Sequence, residues 1–115
     1  GVRLVGSEMC IRDSNTTEFM VLEYDSDIIG QLRFDFDEKY PVISISLNKK
    51  YRGLGLSKYL LNNGINYIKK NYNQNTLIAD IKKSNARSIS FFEAMGFKKE
   101  YEIRNGSALR FIYRG

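Results

Sequence analysis

The chain has 115 residues, 43% of them apolar, which suits one domain with a modest core. A single cysteine permits no internal disulfide framework, and with histidine absent altogether the composition argues against a zinc site. The net charge is +5, no apolar run is long enough to span a bilayer, and no charged region leads into a secretory segment, so a cytoplasmic protein with no membrane partner is expected.

In chain order, the opening "GVRLVGSEMCIRDS" stands apart. Its core "VGSEMCIRDS" resembles the translated adapter sequence that recurs at the ends of metagenomic reading frames. Residues 1–14 are therefore set aside as a non-native or disordered leader, the domain is expected over 15–115, and the gene is read as cut at its 5′ end. "EFMVLEY" (18–24) and "IIGQLRFDF" (28–36) read as strands joined by a "DSD" hairpin turn. "VISISLN" alternates strictly, with Ile43, Ile45 and Leu47 on one side and Ser44 and Ser46 on the other. After two glycines, Leu56, Leu60, Leu61, Ile65 and Ile68 recur at helical spacing until "NYNQN" stops them. "TLIADI" (76–81) is a short strand. "SNARSISFFEAMGF" is a helix capped by Ser84 or Asn85, striped by Ile89, Phe92 and Met95, and closed by Gly96. "FKKEYEI" and "ALRFIYR" form a final antiparallel pair around "NGS". The order β-β-β-α-β-α-β-β implies an α/β fold with a sheet of mixed direction.

Charge is distributed unevenly along this order. Between Glu18 and Glu38 seven acids face one base, Arg33, whereas Lys39 to Ala79 holds seven bases and no acid. The second block favours an anionic partner; alone it could equally be a solvated face, or a basic module for RNA or the ribosome with Tyr40 and Tyr51 as stacking residues. The junction "NKKYRGLGLSKYLL" (48–61) narrows the choice. A strand entering a helix through a glycine-rich turn leaves backbone N–H groups unpaired and converging at the positive end of the helix dipole, a place suited to phosphate. Gly53 and Gly55 clear the approach, and Arg52 and Lys58 add charge. Neither a Walker loop nor a dinucleotide fingerprint fits: Gly55 is followed by Leu-Ser-Lys, and position 58 is Lys rather than Gly.

Arg52-Gly53-Leu54-Gly55-Leu56-Ser57 resembles the Arg/Gln-x-x-Gly-x-Gly/Ala signature of the GNAT N-acetyltransferase superfamily. Asn85, Ser88, Phe92 and Gly96-Phe97 match the spacing of that family's "N..A...Y...GF" helix, and the intervening helix and strand come in the right order. The resemblance spans residues 19–113. It implies a GNAT-like, mainly antiparallel sheet flanked by helices, here lacking the usual N-terminal strand and two helices. It also implies acetyl-CoA as cosubstrate. The strand at Ile43–Leu47 would splay from that at Leu77–Ile81, with Ile45, Ser46 and Leu47 along the pantetheine arm. The amides of Gly53, Leu54, Gly55, Leu56 and Ser57, with Arg52 and Lys58 nearby, would hold the pyrophosphate; Asn85 would contact the cofactor from the other side, and Phe92 would lie by the thiol.

The implied reaction is acetyl transfer to a primary amine. Asp80 aligns with the position, five residues before the helix Asn, where ribosomal-protein alanine acetyltransferases carry a Glu base. An acid in an otherwise apolar strand is partly desolvated, which favours such a role, while pairing with a nearby Lys or plain solvation at the strand's end is the structural alternative. Glu23, Asp35 and Asp37 are lesser candidates acting through water. Phe92 departs from the family pattern, because many relatives carry there a Tyr that protonates the thiolate. The acceptor is expected to be a small-molecule or peptide amine, with a lean toward a nucleotide-linked amino sugar from "IIGQLRFD…ISISLNKKYRGLGLS"; a homodimer is allowed and DNA is not expected. A coenzyme A-binding module without turnover is the competing function.

Overall fold

In a computed structural model the main chain is described for residues 2–12 and 15–115, and side chains for 2–4 and 16–115. The strands are β1 (Val2–Arg12), β2 (Asn15–Tyr24), β3 (Asp27–Asp35), β4 (Val42–Leu47), β5 (Thr76–Lys82), β6 (Lys98–Ile103) and β7 (Ala108–Arg114). Helix α1 (Leu56–Tyr72) joins β4 to β5, and α2 (Ala86–Ala94) joins β5 to β6. The described residues form a seven-stranded sheet in the order β1-β2-β3-β4-β5-β7-β6. Every neighbouring pair is antiparallel except β4 and β5, which run parallel because α1 carries the chain back across the sheet.

Local chemistry accounts for the element ends. The hairpin between β2 and β3 turns on Asp25 (φ 53°) and Ser26 (φ 69°), the left-handed pair that a two-residue hairpin loop needs. Asn73 closes α1 in the left-handed region. Asn85 caps α2 by accepting from the Ser88 amide at 3.2 Å, and Gly96 (φ 95°) ends that helix.

Both helices lie on one face of the sheet. Leu32, Phe34, Ile43, Leu77, Ala79 and Phe111 point to that face and make one cluster with Leu60, Leu61 and Ile68 of α1 and Phe92 of α2. Gly64 lets α1 sit directly on β3: a Cβ there would stand 2.1 Å from Leu32 Cδ2. By the two-residue alternation of strands, Thr17, Arg33, Asp35, Ser44, Ser46, Asp80 and Arg110 face the other way. Glu18 is the exception on the helix side. It is buried and accepts hydrogen bonds from Tyr67, at 2.7 Å, and from Tyr72.

The expected mixed sheet flanked by helices is present, and among the described residues no helix precedes β2. The leader takes a place in the sheet. Residues 1–14 were set outside the fold, yet Val2–Arg12 runs as the outermost strand, registered on β2 from Val2↔Tyr24 to Arg12↔Asn15 with a shift between Val5 and Glu8. An edge strand presents a row of N–H and C=O groups, and an extended segment hairpin-linked to it satisfies them. Residues 1, 13 and 14 of that leader, and the side chain of Cys10, lie outside the described residues.

Candidate functional site

The strand-to-helix corner is built from the chain's own local signals. Asn48 donates its amide to Ile29 O (2.7 Å) and accepts from the Lys50 amide (3.0 Å), starting a single 3-10 turn at Lys49–Tyr51. Arg52 returns to extended backbone, then Gly53 (φ 81°) and Gly55 (φ 76°) adopt left-handed conformations. Gly55 is the N-cap of α1 and makes no side-chain cap bond. Among the described residues no turn or cap hydrogen bond takes up the amides of Gly53 to Lys58. Nor do side chains fill the corner, since a Cβ added at Gly53 or Gly55 would meet nothing within 4 Å. The amides are therefore bare at the positive end of a 17-residue helix.

The corner opens into a groove of about 1,170 Å³. Its origin is the sheet. β4 and β5 are registered only at Val42↔Ile78 and Ile43↔Ala79 and then part. Because the Asn48 amide faces β3, alternation turns the main-chain groups of Ile45 and Leu47 toward the gap. Ile45, Ser46 and Leu47 line one side, Arg52, Gly53, Gly55, Leu56, Ser57 and Lys58 the head, and the start of α2 the other side. The cations Lys49, Arg52, Lys58 and Arg87 are on the lining with no carboxylate among them. Asn85 is there too; its Oδ1 accepts the cap bond, and its amide nitrogen makes no hydrogen bond among the described residues.

Two expected residues fall elsewhere. Leu54 is 67% exposed and off the lining, although its amide belongs to the corner. Phe92 is buried between Phe91 (5.2 Å) and Phe97 (5.0 Å), in the core rather than on the groove wall. Phe91 lines the groove in its place, with Ser84 and Ser88. The helical stripe of Ile89, Phe92 and Met95 already turns Phe92 toward the core, and Ser84, Ser88 and Phe91 on the adjoining stripe are the signal that was passed over.

On the opposite face Asp80 is paired with its cross-strand neighbour, Arg110 of β7. Arg110 Nε and Nη2 donate to Asp80 Oδ1 and Oδ2 at 2.8 and 2.9 Å, while Nη1 and Nη2 donate to the two Glu38 oxygens at 2.7 and 2.9 Å. Both side chains of the inner pair are nearly out of solvent, and the hydrogen bonds to Asp80 first and Glu38 next raise the Arg110 pKa far above its ordinary value, so it stays charged. Asp80 is thus neither a lone desolvated acid nor paired with a lysine; its partner is the cross-strand arginine. Each of its oxygens keeps one lone pair free of that fork. Beside it is a cleft of about 190 Å³ that also takes in Asp35 and Asp37. Glu23 lies elsewhere, paired with Arg3 at 3.4 Å.

The sequence matches the description of the Acetyltransferase (GNAT) family over residues 4–97. It is 26% identical over 100 residues to an N-alpha-acetyltransferase of Sulfurisphaera tokodaii, covering 76% of this chain and 60% of that protein. Among solved structures, the PaiA N-acetyltransferase of Thermoplasma acidophilum in complex with coenzyme A superposes with a TM-score of 0.78 at 21% identity, over 86% of this chain and 61% of that one. The Campylobacter jejuni N-acetyltransferase PseH superposes with a TM-score of 0.72 at 21% identity, over 85% and 67%. The chain spans about three fifths of the length of the first two.

Proposed function

Because the chain belongs to the GNAT acetyltransferase family, we propose that it binds acetyl-CoA in the groove and transfers the acetyl group to a primary amine held on the polar face. The observation that carries this reading is the corner of unengaged amides at 53–58, which opens onto a groove with cations and no carboxylates. That donor set suits a diphosphate, and the basic block of the sequence converges there through Lys49, Arg52 and Lys58 instead of forming the flat stripe a nucleic acid would need.

In this reading the amides of Gly53, Leu54, Gly55, Leu56 and Ser57 hold the pyrophosphate, helped by Arg52 and Lys58. The main-chain groups of Ile45 and Leu47 complete their hydrogen bonding with the pantetheine amides, Ser46 flanks them, and Asn85 closes the other side. Acetyl-CoA supplies an acyl group activated as a thioester. Asp80 takes the proton that the attacking amine must lose, through the lone pairs its Arg110 fork leaves open, and Arg110 fixes its orientation. Phe92 has no proton to give and is turned into the core, so the leaving thiolate is protonated by water or by the amine. The acceptor lean is to an amino sugar, supported by the resemblance of residues 28–57, and the setting is the reducing cytoplasm that a lone cysteine suits.

Calorimetric titration with coenzyme A tests the groove, and release of free thiol from acetyl-CoA with a panel of amines tests turnover. Asp80→Asn should lower turnover by about 10²–10⁴-fold with coenzyme A affinity unchanged. A second reading, a module that holds coenzyme A without turnover, is favoured by one observation, the burial of Phe92 away from the groove. Binding without thiol release for any amine would select it.

A further inference from the structure

The 190 Å³ cleft is lined by six charged residues, Arg33, Asp35, Asp37, Glu38, Asp80 and Arg104, and their partners can be accounted for one by one. Asp35 accepts from Thr17 Oγ1 at 2.8 Å and from Arg33 Nε at 2.9 Å. Asp80 and Glu38 share Arg110. Among the described residues this leaves one carboxylate, Asp37, and one guanidinium, Arg104, with no hydrogen bond or ion pair, both exposed and both on the lining of the same space. Arg104 is also held in an uncommon backbone state: it opens a run of left-handed residues (φ 52°, 54° and 84° at Arg104, Asn105 and Gly106), its carbonyl pinned by the Ser107 amide (3.1 Å) and hydroxyl (2.8 Å). An arginine in that conformation costs about 1–2 kcal/mol that Gly would not, and the structure keeps it on the lining of the cleft.

We propose that this cleft is an acceptor subsite for a zwitterionic amine, in which Arg104 receives an anionic group and Asp37 the ammonium. A plain polyamine would set its positive charge against Arg104, and an amine without an anionic group would gain nothing from that exposed guanidinium beyond what water gives it. An amine with a carboxylate or phosphate a few bonds away satisfies both groups. The volume is below the roughly 300–1,000 Å³ that drug-sized ligands fill, so the cleft holds the amine end of the acceptor rather than a whole nucleotide. Its position suits transfer: the cleft ends on β4 at Ile43 and Ser44, and the groove begins at Ile45, the next residue along the strand. The inference names the substrate class of the acetyl-transfer reading and rests on it for the reaction, though not for binding.

The test uses the ¹⁵N-labelled chain without coenzyme A, titrated with phosphoethanolamine, β-alanine, ethylamine and spermidine and followed by NMR at the cleft amides. Phosphoethanolamine or β-alanine should bind about tenfold more tightly than ethylamine and spermidine, and the preferred one of the two identifies the anion. Arg104→Asn suits the left-handed backbone and removes the cation, so it should erase that preference. Asp37→Asn should weaken all four, and neither variant should alter coenzyme A titration. Equal affinities, tighter binding of spermidine, an unchanged preference in Arg104→Asn, or no saturable shift at the cleft would each overturn the proposal. Loss of coenzyme A binding with the amine preference intact would instead remove the enzymatic reading and leave the cleft standing.

Discussion

Substituting Gly55 separates backbone strain from ligand electrostatics. Gly55 sits at φ 76°, so any L-residue there costs about 1–2 kcal/mol, yet the space around its Cβ position is empty to 4 Å. Gly55→Ala and Gly55→Glu should therefore both lower the melting temperature, by roughly 4–8 °C per kcal/mol. They should differ in binding. The glutamate adds a negative charge where the corner amides converge; at about 5 Å from a phosphate and an effective dielectric constant of about 20, repulsion is about 3 kcal/mol per charge pair, or some two orders of magnitude in affinity. Gly55→Ala leaves the N–H groups in place and should weaken coenzyme A less than about fivefold. Calorimetric titration with coenzyme A, beside thermal melts of the same samples, reads both effects. If Gly55→Glu bound coenzyme A as tightly as Gly55→Ala, the corner would not be the diphosphate site and the acetyl-transfer assignment would lose its footing.

Gly64→Ala should destabilise the fold by about 1–3 kcal/mol in urea titration, because its Cβ would lie 2.1 Å from Leu32 Cδ2 and 3.2 Å from Phe34 Cζ, outweighing a helix-propensity gain near 1 kcal/mol. Phe92→Tyr should leave thiol release unchanged and cost about 1–3 kcal/mol of stability, since its hydroxyl enters the cluster with Phe91 and Phe97; a gain in turnover would mean that this side chain reaches the thiol. Tyr72→Phe should cost about 1–3 kcal/mol, as buried Glu18 loses one of its two tyrosine donors; an unchanged urea midpoint would show that this hydroxyl contributes nothing.

What could be read in advance was local. Strand alternation at Val42–Leu47, the helical stripe from Leu60 to Ile68, the Asn85 cap and the two glycines before α1 each depend on residues within a few positions, and each stands where the sequence places it. The corner was derivable for the same reason: bare amides at a helix start follow from the chain's own geometry. The divergence of β4 from β5 was expected from the family resemblance alone.

The rest required the sheet to close. Asp80 meets Arg110 across 30 positions and Arg110 meets Glu38 across 72, contacts fixed by strand order and register rather than by any neighbouring residue. The same closure puts both helices on one face, leaves Asp37 and Arg104 together on the other, and sends Phe92 inward while Phe91 faces the groove. It also places Val2–Arg12 at an open edge, a segment whose resemblance to a translated adapter sequence had kept it out of the expected fold. Sequence determines the elements from β2 onward and the phosphate corner because their causes lie within one or two turns; the partners of each charge were decided only when distant strands were brought side by side.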